Sequence, residues 1–410
     1  MKSWVYCLPT DVLGEGAAMV VATLRSRARA DGIVIAVKYH ASRDVLPHNP
    51  RWRVASLSPG VFYRPRVCGQ DTLAPTVSPL AQGRDVLAEV TASAAACGMD
   101  VSAWAVMLHE DSIGADHPAV QVNCWGDGAA GVLCPAHPAA RAYVQRIAQE
   151  LTTYPIASVR LESLHYHGLH HGHHHERLLD IHTPLAQWLL GLCFCGHCRA
   201  AAAGRGVDTD RLRGEIRRWL TASFDTPPED IPLSQTTLAG LFGEDILGYV
   251  AARQEVVSSL VGRVVDIASA AAIGTTFVDI TMIGAGRLLA AGQGQLAADA
   301  GWIDGIDVRR IAATGADVEV TGYVDSAERL ASEVASYRAA VGEHSRLGVI
   351  LRPGPPDCTT ADELAGRVAV ARGEGCDEIA FYNYGLYRLT ALDRIRTATE
   401  SGETDGGTHG

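Results

Sequence analysis

Hydrophobic and polar positions follow a block pattern along the chain, in which short apolar runs alternate with longer segments of helical periodicity. Short apolar runs are typical of buried strands, and the periodic segments are typical of amphipathic helices. Eight runs predict strands, at Trp4–Leu8, Ile33–Tyr39, Ala103–Leu108, Ser158–Leu164, Thr276–Ile280, Val318–Val324, Leu347–Leu351 and Glu378–Tyr382. A less regular stretch, Trp302–Thr314, precedes the sixth run and is an alternative position for that strand.

The periodic segments between the runs predict helices at Gly16–Ala30, Arg84–Cys97, Ala139–Tyr154, Ser326–Val341 and Thr360–Gly375. A repeated strand–helix alternation indicates a parallel sheet with right-handed crossovers. Eight units favour a closed barrel over an open sheet, and no Gly-x-Gly-x-x-Gly motif follows the first strand. We therefore predict an α/β fold, a (β/α)₈ TIM barrel in which Trp4–Leu8 and Glu378–Tyr382 are neighbouring parallel strands.

Two regions are longer than a barrel requires, since a minimal barrel takes about 250 residues and this chain has 410. Residues 40–83 predict a long loop after strand two. Residues 199–270, with periodic stretches at Asp208–Ser223 and Glu244–Ala270, predict an α-helical insertion after strand four, either a surface shell or a lid over a substrate. The barrel is predicted to span residues 1–398, and residues 399–410 are predicted to form a disordered tail.

Charge and hydropathy narrow the classes of partner. The net charge is −11 and no run of Lys or Arg is present, which argues against nucleic acids and anionic membranes. No stretch approaches the roughly 18 apolar residues of a membrane span, and no signal segment is evident at the N-terminus. These features favour a cytoplasmic protein whose substrate is neutral or locally paired rather than polyanionic, and assembly into a homo-oligomer is left open.

Three cysteines crowd into six residues, at Cys193, Cys195 and Cys198. Such spacing suits a metal in a reducing compartment, and Zn²⁺ takes four ligands in a tetrahedron. Cys134 is the natural fourth ligand because its loop precedes the helix after strand three, beside the strand-four loop. Cys124 and His197 are weaker candidates, and a set of reduced thiols without a metal is the alternative. We predict a structural Zn²⁺ site.

The cysteine pattern resembles a known family. Cys134-Pro135, followed some sixty residues later by Cys-aromatic-Cys-x-x-Cys, resembles the zinc cluster of family 42 β-galactosidases and related clan-A glycoside hydrolases. The runs Val122–Asp127 and Phe381–Gly385 are similar to poorly characterised bacterial barrels described as glycosyl-hydrolase-like. The resemblance covers most of the chain in order, and it implies the barrel fold, the zinc site and a carbohydrate-active enzyme.

Polar side chains follow the predicted strands at their carboxyl ends, where the active sites of (β/α)₈ barrels lie. Such a polar rim suits a small, sugar-like substrate. The residues that we predict to bind it are Lys38, His40, His109, His165, Tyr166, His167, Tyr323, Arg352, Tyr382 and Asn383. The resemblance implies that Glu162, at the end of strand four, is the general acid/base. A desolvated carboxyl there has a pKa near neutrality and protonates a leaving oxygen. Alternatively, Glu162 pairs with Arg160 in a purely structural role.

The chain departs from the clan-A pattern at two places. Leu161-Glu162 stands where the clan usually has Asn-Glu, and Gly348–Pro355 contains no carboxylate where the clan carries its glutamate nucleophile. A retaining mechanism, which needs two carboxylates about 5–5.5 Å apart, is therefore not supported by the sequence. Either Asp279 or Glu110 is the predicted second catalytic carboxylate. Its distance from Glu162 would then be the longer one that is typical of an inverting enzyme.

Half of the chain's 16 histidines fall in one internal segment, at His165, His167, His170, His171, His173, His174, His175 and His182. We interpret the segment as a sugar-contacting loop, a solvated loop, or a catalytic metal site that includes Glu176. Three hypotheses for function follow: a glycoside hydrolase using Glu162, a metal-dependent hydrolase or isomerase using the histidine segment, and a non-catalytic sugar-binding barrel.

Overall fold

Eight parallel strands form a closed ring in the computed structural model, which describes residues 1–66, 73–169, 171, 183–226, 231–282, 295–343 and 345–401. The strands are β1 (Lys2–Cys7), β2 (Gly32–Tyr39), β3 (Asp100–Val106), β4 (Ser158–Glu162), β5 (Gly274–Asp279), β6 (Asp317–Thr321), β7 (Leu347–Leu351) and β8 (Glu378–Phe381). Each strand pairs with its sequence neighbour, and β1 pairs with both β2 and β8. The predicted (β/α)₈ barrel and its closure are confirmed.

The sixth strand lies at Asp317–Thr321, so the alternative position at Trp302–Thr314 was wrong. That segment instead begins in a 3₁₀ turn at Gly301–Asp304 and continues as the helix Val308–Ala312. Its buried apolar residues do not alternate with period two, which is the pattern that a strand would need.

The helices of the described ranges are Pro9–Glu15, Ala17–Thr23, Val86–Ala96, Pro138–Leu151, Pro184–Gly191, Gly196–Ala203, Thr209–Asp225, Gln235–Phe242, Glu244–Ser269, Ala297–Ala300, Val308–Ala312, Ala327–Val341, Ala361–Gly373 and Thr390–Glu400. The predicted helix Gly16–Ala30 is an α-helix that passes into a π-helical turn at Leu24–Ala28. Pro9–Glu15 and Thr390–Glu400 were not predicted. The second of these contains the first two residues of the predicted tail, and residues 402–410 lie outside the described chain.

The two long regions have different structures. After β2, Ser42–Val45 and Val54–Leu57 form an antiparallel hairpin, and Gly60–Val61 pairs with β2 itself. Within residues 199–270, the last helix, Glu244–Ser269, leads into β5 and packs against Pro138–Leu151. It therefore takes the place of the barrel helix between β4 and β5. No helix of the described ranges is long and apolar enough to cross a membrane.

The end of the barrel where the strands begin is filled by a charged cluster, which we call the barrel floor and define as Trp4, Tyr6, Arg160, Glu319 and Glu378. Arg160 is 1% exposed and forms ion pairs with Glu319 and Glu378. The Tyr6 hydroxyl donates a hydrogen bond to Glu319, and the Arg160 guanidinium lies 4.9 Å from the Trp4 ring centroid. Each buried charge on the floor thus has a partner of opposite sign.

Candidate active site at the barrel mouth

Glu162 is the last residue of β4, and it lies two residues after Arg160 on the same face of the strand. Because the Arg160 side chain lies inside the barrel, the Glu162 side chain also faces the interior, at the opposite end. The Trp104 indole N–H donates a hydrogen bond of 2.8 Å to Glu162 Oε2. The next residue, Ser163, has a φ of 54°, in the left-handed region that non-glycine residues seldom adopt. The strand thus ends on a constrained turn that fixes the carboxylate.

The surroundings of Glu162 favour its protonated form. Burial raises the pKa of Glu162 to about 7, the hydrogen bond from Trp104 lowers it, and the negative charge of Glu319 raises it further. No cation of the described chain contributes to this balance. A carboxyl with a pKa near 7 can both donate and accept a proton at neutral pH, as a general acid/base must.

Four aromatic side chains surround this carboxyl, and we call them the aromatic wall: Tyr39, Trp104, Tyr323 and Tyr382. The ring centroids of Trp104 lie 4.9 Å from Tyr39 and 6.1 Å from Tyr382, and Tyr323 lies 6.3 Å from Tyr382. Burial raises the pKa of all three tyrosines, and the negative charge of Glu162 adds to the rise. The hydroxyls therefore remain protonated and lie close to the carboxylate. Aromatic faces with a few polar groups are typical of a small-molecule site.

Arg352, predicted to bind the substrate, extends the wall at the end of β7. Its guanidinium lies 4.4 Å from the Tyr323 ring centroid. Asp357, five residues later, holds the guanidinium through two hydrogen bonds of 2.7 Å. A carboxylate therefore does follow β7, although not at the strand end. Its two oxygens are occupied by Arg352, which fixes the orientation of that side chain.

Glu110 and Lys38 lie together between the barrel and its outer helices. Lys38 Nζ is 3.5 Å from Glu110 Oε2, and the Tyr143 hydroxyl of helix Pro138–Leu151 donates to the same oxygen at 2.6 Å. Although burial acts to raise it, the pKa of Glu110 is lowered by the positive charge of Lys38 and by hydrogen bonds from Tyr143 and Ser112. These contacts are structural, and the predicted roles of Glu110 in catalysis and of Lys38 in substrate binding stay predictions.

Asp279 has a comparable environment at the end of β5. The Tyr337 hydroxyl, on helix Ala327–Val341, donates to Asp279 Oδ2 at 2.9 Å, and the Thr281 hydroxyl donates to Oδ1 at 2.5 Å. Asp279 is 0% exposed, and burial raises its pKa. Because Tyr337 belongs to the outer helical layer, Asp279 faces that layer rather than the barrel interior. Its role as a second catalytic carboxylate stays a prediction.

A row of imidazole rings continues the aromatic wall away from Glu162. His40 stacks on Tyr39 with 4.2 Å between ring centroids, and His109 stacks on His40 at 4.9 Å. His171 Nε2 lies 3.0 Å from His109 Nδ1. The predicted binding residues His40 and His109 are therefore brought beside the mouth. His170, His173, His174, His175, Glu176 and His182 lie outside the described residues.

Four further predicted residues are almost entirely buried. His165 and His167 are each 3% exposed, and Asn383 is 2% exposed, with its Oδ1 accepting a hydrogen bond from the Gly385 N–H at 2.9 Å. The Tyr166 hydroxyl lies 3.3 Å from Cys198 Sγ. The structure therefore places Tyr166 beside the cysteines, and the substrate-binding roles of all four residues stay predictions.

The four predicted cysteine ligands converge at one point. Cys134 Sγ lies 3.4, 3.6 and 3.8 Å from the Sγ atoms of Cys198, Cys195 and Cys193. Four sulfurs at about 2.3 Å from a tetrahedral ion would lie about 3.8 Å apart. The four ligand atoms all lie within 4.8 Å of one another, so the cluster could bind a metal ion. The weaker candidates lie elsewhere: the Cys124 carbonyl accepts from Arg213, and His197 packs on His137.

Trp104 and Asp357 are site residues that sequence analysis missed. Trp104 occupies the middle of β3, where a large aromatic residue is ordinarily a core residue. Its position two residues before Val106, which is level with Glu162, was the signal that its side chain shares the interior face. Asp357 follows β7 by six residues, beyond the strand ends that were searched, and nothing in the local pattern marked it.

The fold is shared with solved glycoside hydrolase domains. The catalytic domain of β-amylase from Paenibacillus polymyxa is similar with a TM-score of 0.54 and 12% identity, over 100% of this chain and 99% of that one. The glycoside hydrolase domain of PgaB (BpsB) from Bordetella bronchiseptica gives 0.53 and 11%, over 98% and 97%. At such identities the likeness establishes the fold. No protein-family model matches the sequence, and no curated protein matches it.

Proposed function

We propose that the protein is a carbohydrate-active enzyme, a glycoside hydrolase that acts on a small glycoside with Glu162 as general acid/base. The observation that carries the proposal is the Glu162 carboxyl, with a pKa of about 7, at the interior end of β4 inside the aromatic wall. The fold supports it, since both solved structures described above are glycoside hydrolase domains.

The proposed chemistry follows from these groups. A sugar ring packs on the aromatic wall, where burial of its apolar face excludes water from the bond to be cleaved. The protonated Glu162 carboxyl donates its proton to the glycosidic oxygen as the bond from that oxygen to the anomeric carbon breaks, and the leaving group departs as an alcohol. A water molecule bonds to the anomeric carbon and loses its own proton to a base. The Trp104 N–H then stabilises the carboxylate that remains. Glu110 and Asp279 are held by structural partners, so the proposal rests on Glu162 and leaves the second carboxylate open.

Replacement of Glu162 by Gln tests this role because the amide keeps the size of the side chain and removes the transferable proton. We expect E162Q to lower kcat by about a hundredfold or more, the usual scale for a general acid, while sugar binding is retained. The assay is a panel of nitrophenyl glycosides and short oligosaccharides, with binding followed by calorimetry. E89Q is the matched control, since Glu89 lies on helix Val86–Ala96 in an ion pair with Arg84, and it should retain turnover.

The alternative functions give different results in the same assay. If E162Q turns over a confirmed substrate at the wild-type rate, Glu162 is structural and the glycosidase proposal is wrong. Turnover that survives E162Q and requires an added metal would support a metal-dependent hydrolase or isomerase. Sugar binding by the wild type with no turnover of any substrate would support a non-catalytic sugar-binding barrel.

We also propose that the cysteine cluster holds a structural Zn²⁺. The support is the tetrahedral spacing of four thiols that join the loops after β3 and β4. The Val122 N–H lies 3.4 Å from Cys193 Sγ and suits a thiolate. C195S should lose zinc and unfold at a lower temperature, since structural zinc binding contributes to folding. C97S, which changes an exposed cysteine, is the control. Wild-type protein without zinc by elemental analysis would contradict the proposal.

A further inference from the structure

The imidazoles beyond the aromatic wall form a second cluster of potential metal ligands, distinct from the cysteines. His109, on the loop after β3, and His165, His167 and His171, on the loop after β4, are in mutual contact. Ring centroids lie 4.5 Å apart for His109 and His171, 3.8 Å for His167 and His171, and 4.8 Å for His165 and His167. Tracts rich in histidine are typical of metal binding, because the neutral ring offers a lone pair to transition metals.

Two of these rings already present nitrogens to one point. His109 Nδ1 and His171 Nε2 lie 3.0 Å apart. Two imidazole nitrogens at about 2.0–2.1 Å from a tetrahedral zinc ion would lie about 3.3 Å apart. The other nitrogen of His109, Nε2, lies 2.8 Å from Asp111 Oδ1. A carboxylate bound to the far nitrogen of a histidine is the arrangement that orients metal-ligating imidazoles.

The third ring, that of His167, is buried without hydrogen-bond partners among the described residues. His167 is 3% exposed, and neither of its ring nitrogens has a hydrogen-bond partner among the described residues. The same holds for His165 Nε2. A buried polar atom without a partner costs about 1–3 kcal/mol, so such atoms point to an absent ligand, water or ion. The contact of His167 with His171 places this unpaired ring next to the preplaced pair.

A cavity of about 360 Å³ opens beside the cluster and is lined by His167, His171 and Gln121. Gln121 is 3% exposed, and neither its amide oxygen nor its amide nitrogen has a partner within the described part of the chain. The cavity gives an ion a route to the imidazoles, and it gives a bound ion room for a water or hydroxyl ligand.

We propose that His109, His167 and His171 bind a first-row transition-metal dication of the Zn²⁺ class, with Asp111 orienting His109. His109 Nδ1 and His171 Nε2 are preplaced, and His167 turns a nitrogen toward the ion on binding. This rotation is required because, within the described ranges, the cysteines form the one group whose ligand atoms already lie within 4.8 Å of one another. Three imidazoles leave a fourth position open toward the cavity, as in sites where a metal binds an exchangeable oxygen ligand. The inference does not rest on the proposed function.

Cobalt is the probe that separates the two sites. Tetrahedral Co²⁺ bound by thiolates absorbs strongly in the near ultraviolet, whereas Co²⁺ bound by imidazoles gives weaker bands in the visible region. We expect the wild type to take up two Co²⁺ per chain by elemental analysis, one with each spectrum. H109A/H171A should keep the thiolate spectrum and lose the imidazole spectrum, and C195S should do the reverse. H48Q is the control, since His48 contacts Glu15 and Tyr384 and none of the cluster.

Asp111→Asn keeps all the imidazoles, so it tests the site even if the double variant fails to fold. Loss of a carboxylate that orients a ligand typically lowers metal affinity by about 10- to 100-fold, and we expect a shift of that size for the imidazole-bound Co²⁺ alone. The proposal is overturned if the wild type shows no imidazole-bound Co²⁺ in its visible spectrum. It is also overturned if folded H109A/H171A keeps the second equivalent, or if D111N leaves its affinity unchanged.

Discussion

Buried carboxylates have a cationic partner at one end of the barrel interior and lack one at the other. On the floor, Glu319 and Glu378 are paired with Arg160, and Glu319 also accepts a hydrogen bond from Tyr6. At the mouth, Glu162 is two residues away from Arg160 along the same strand, yet it has the Trp104 N–H and no cation. Glutamates inside one barrel are thus compensated by a cation at one end and lack a cation at the other.

The difference shows that ion pairs that stabilise the barrel and a carboxyl with a pKa near neutrality lie at different ends of the interior. A buried charge is tolerated where an opposite charge and hydrogen bonds replace water. Without an opposite charge, burial favours the neutral form and moves the pKa toward neutrality. The floor therefore pairs its buried charges and joins β4, β6 and β8, whereas the mouth favours the protonated form of Glu162. The predictions below test this contrast, in order of decreasing effect.

The largest effect is expected from breaking the floor. Arg160→Met leaves Glu319 buried without a cation, while Glu378 keeps its ion pair of 2.7 Å with Arg346. Loss of one partner of a buried ion pair typically costs about 3–5 kcal/mol of unfolding free energy. Urea unfolding at pH 7 measures the loss. Arg352→Met at the mouth is the matched control, because Arg352 is partly exposed and pairs with a single carboxylate. It should cost about 1 kcal/mol or less. Equal losses for the two variants would mean that floor and mouth do not differ.

A smaller effect is expected in the pH dependence of stability. The folded-state pKa of Glu162 is raised from the ordinary 4.5 to about 7, so the contribution of Glu162 is fully present below pH 4.5 and is lost as the pH rises through 7. The wild type should therefore lose about 2–3 kcal/mol relative to E162Q between pH 4.5 and pH 8. Urea unfolding of both proteins across this range measures the difference.

Glu110 provides a comparison because its pKa is shifted in the opposite direction. Its pKa is lowered, so its contribution is present above the ordinary pKa and is lost as the pH falls through the lowered value. The unfolding free energy of E110Q should therefore depend on pH differently from that of the wild type at acid pH, and not between pH 6 and pH 8. If the unfolding free energies of E162Q and the wild type change in parallel between pH 4.5 and pH 8, the pKa of Glu162 is not raised.

The smallest effect is expected from the single donor at the mouth. Trp104→Phe removes the N–H that stabilises the Glu162 carboxylate, so the pKa of Glu162 should rise by roughly one unit, the scale of a hydrogen bond to a charged group. The alkaline limb of the kcat/KM profile should move up by the same amount, because the acid stays protonated to a higher pH. Trp4→Phe, on the floor, is the control and should leave the limb in place. A downward shift in W104F would contradict the assignment of the donor.

Much of the fold was readable because barrel strands are short apolar runs with regular spacing. All eight strands lie where those runs predicted them, within a few residues. Residues 120–133 were not recognised as a hairpin, since Val120–Val122 and Gly128–Leu133 are short and rich in small residues. The helix Glu244–Ser269 was assigned to an insertion because its periodicity does not reveal that it packs on Pro138–Leu151, a contact set by tertiary structure.

The site was predictable where its residues end strands or share a motif. Cys134 and the three clustered cysteines do converge, and Glu162, Tyr323, Arg352 and Tyr382 do lie at the mouth. Position in sequence could not show which way Glu110 and Asp279 point, since a side chain at a strand end faces either the interior or the helices. The partners that decide this, Tyr143 and Tyr337, are distant in sequence and lie on helices.

The pairing of β1 with β8 has a consequence for synthesis. Lys2 pairs with Glu378. During synthesis, β1 therefore cannot form its pairing with β8 until the last barrel strand has left the ribosome. At about 5–20 residues per second, that interval is roughly 20 to 75 s. During this time the unpaired edge of β1 offers its backbone groups to any other extended chain. Closure of the ring is therefore a late, non-local event, and nascent chains that leave β8 unfinished expose the edge for as long as they persist.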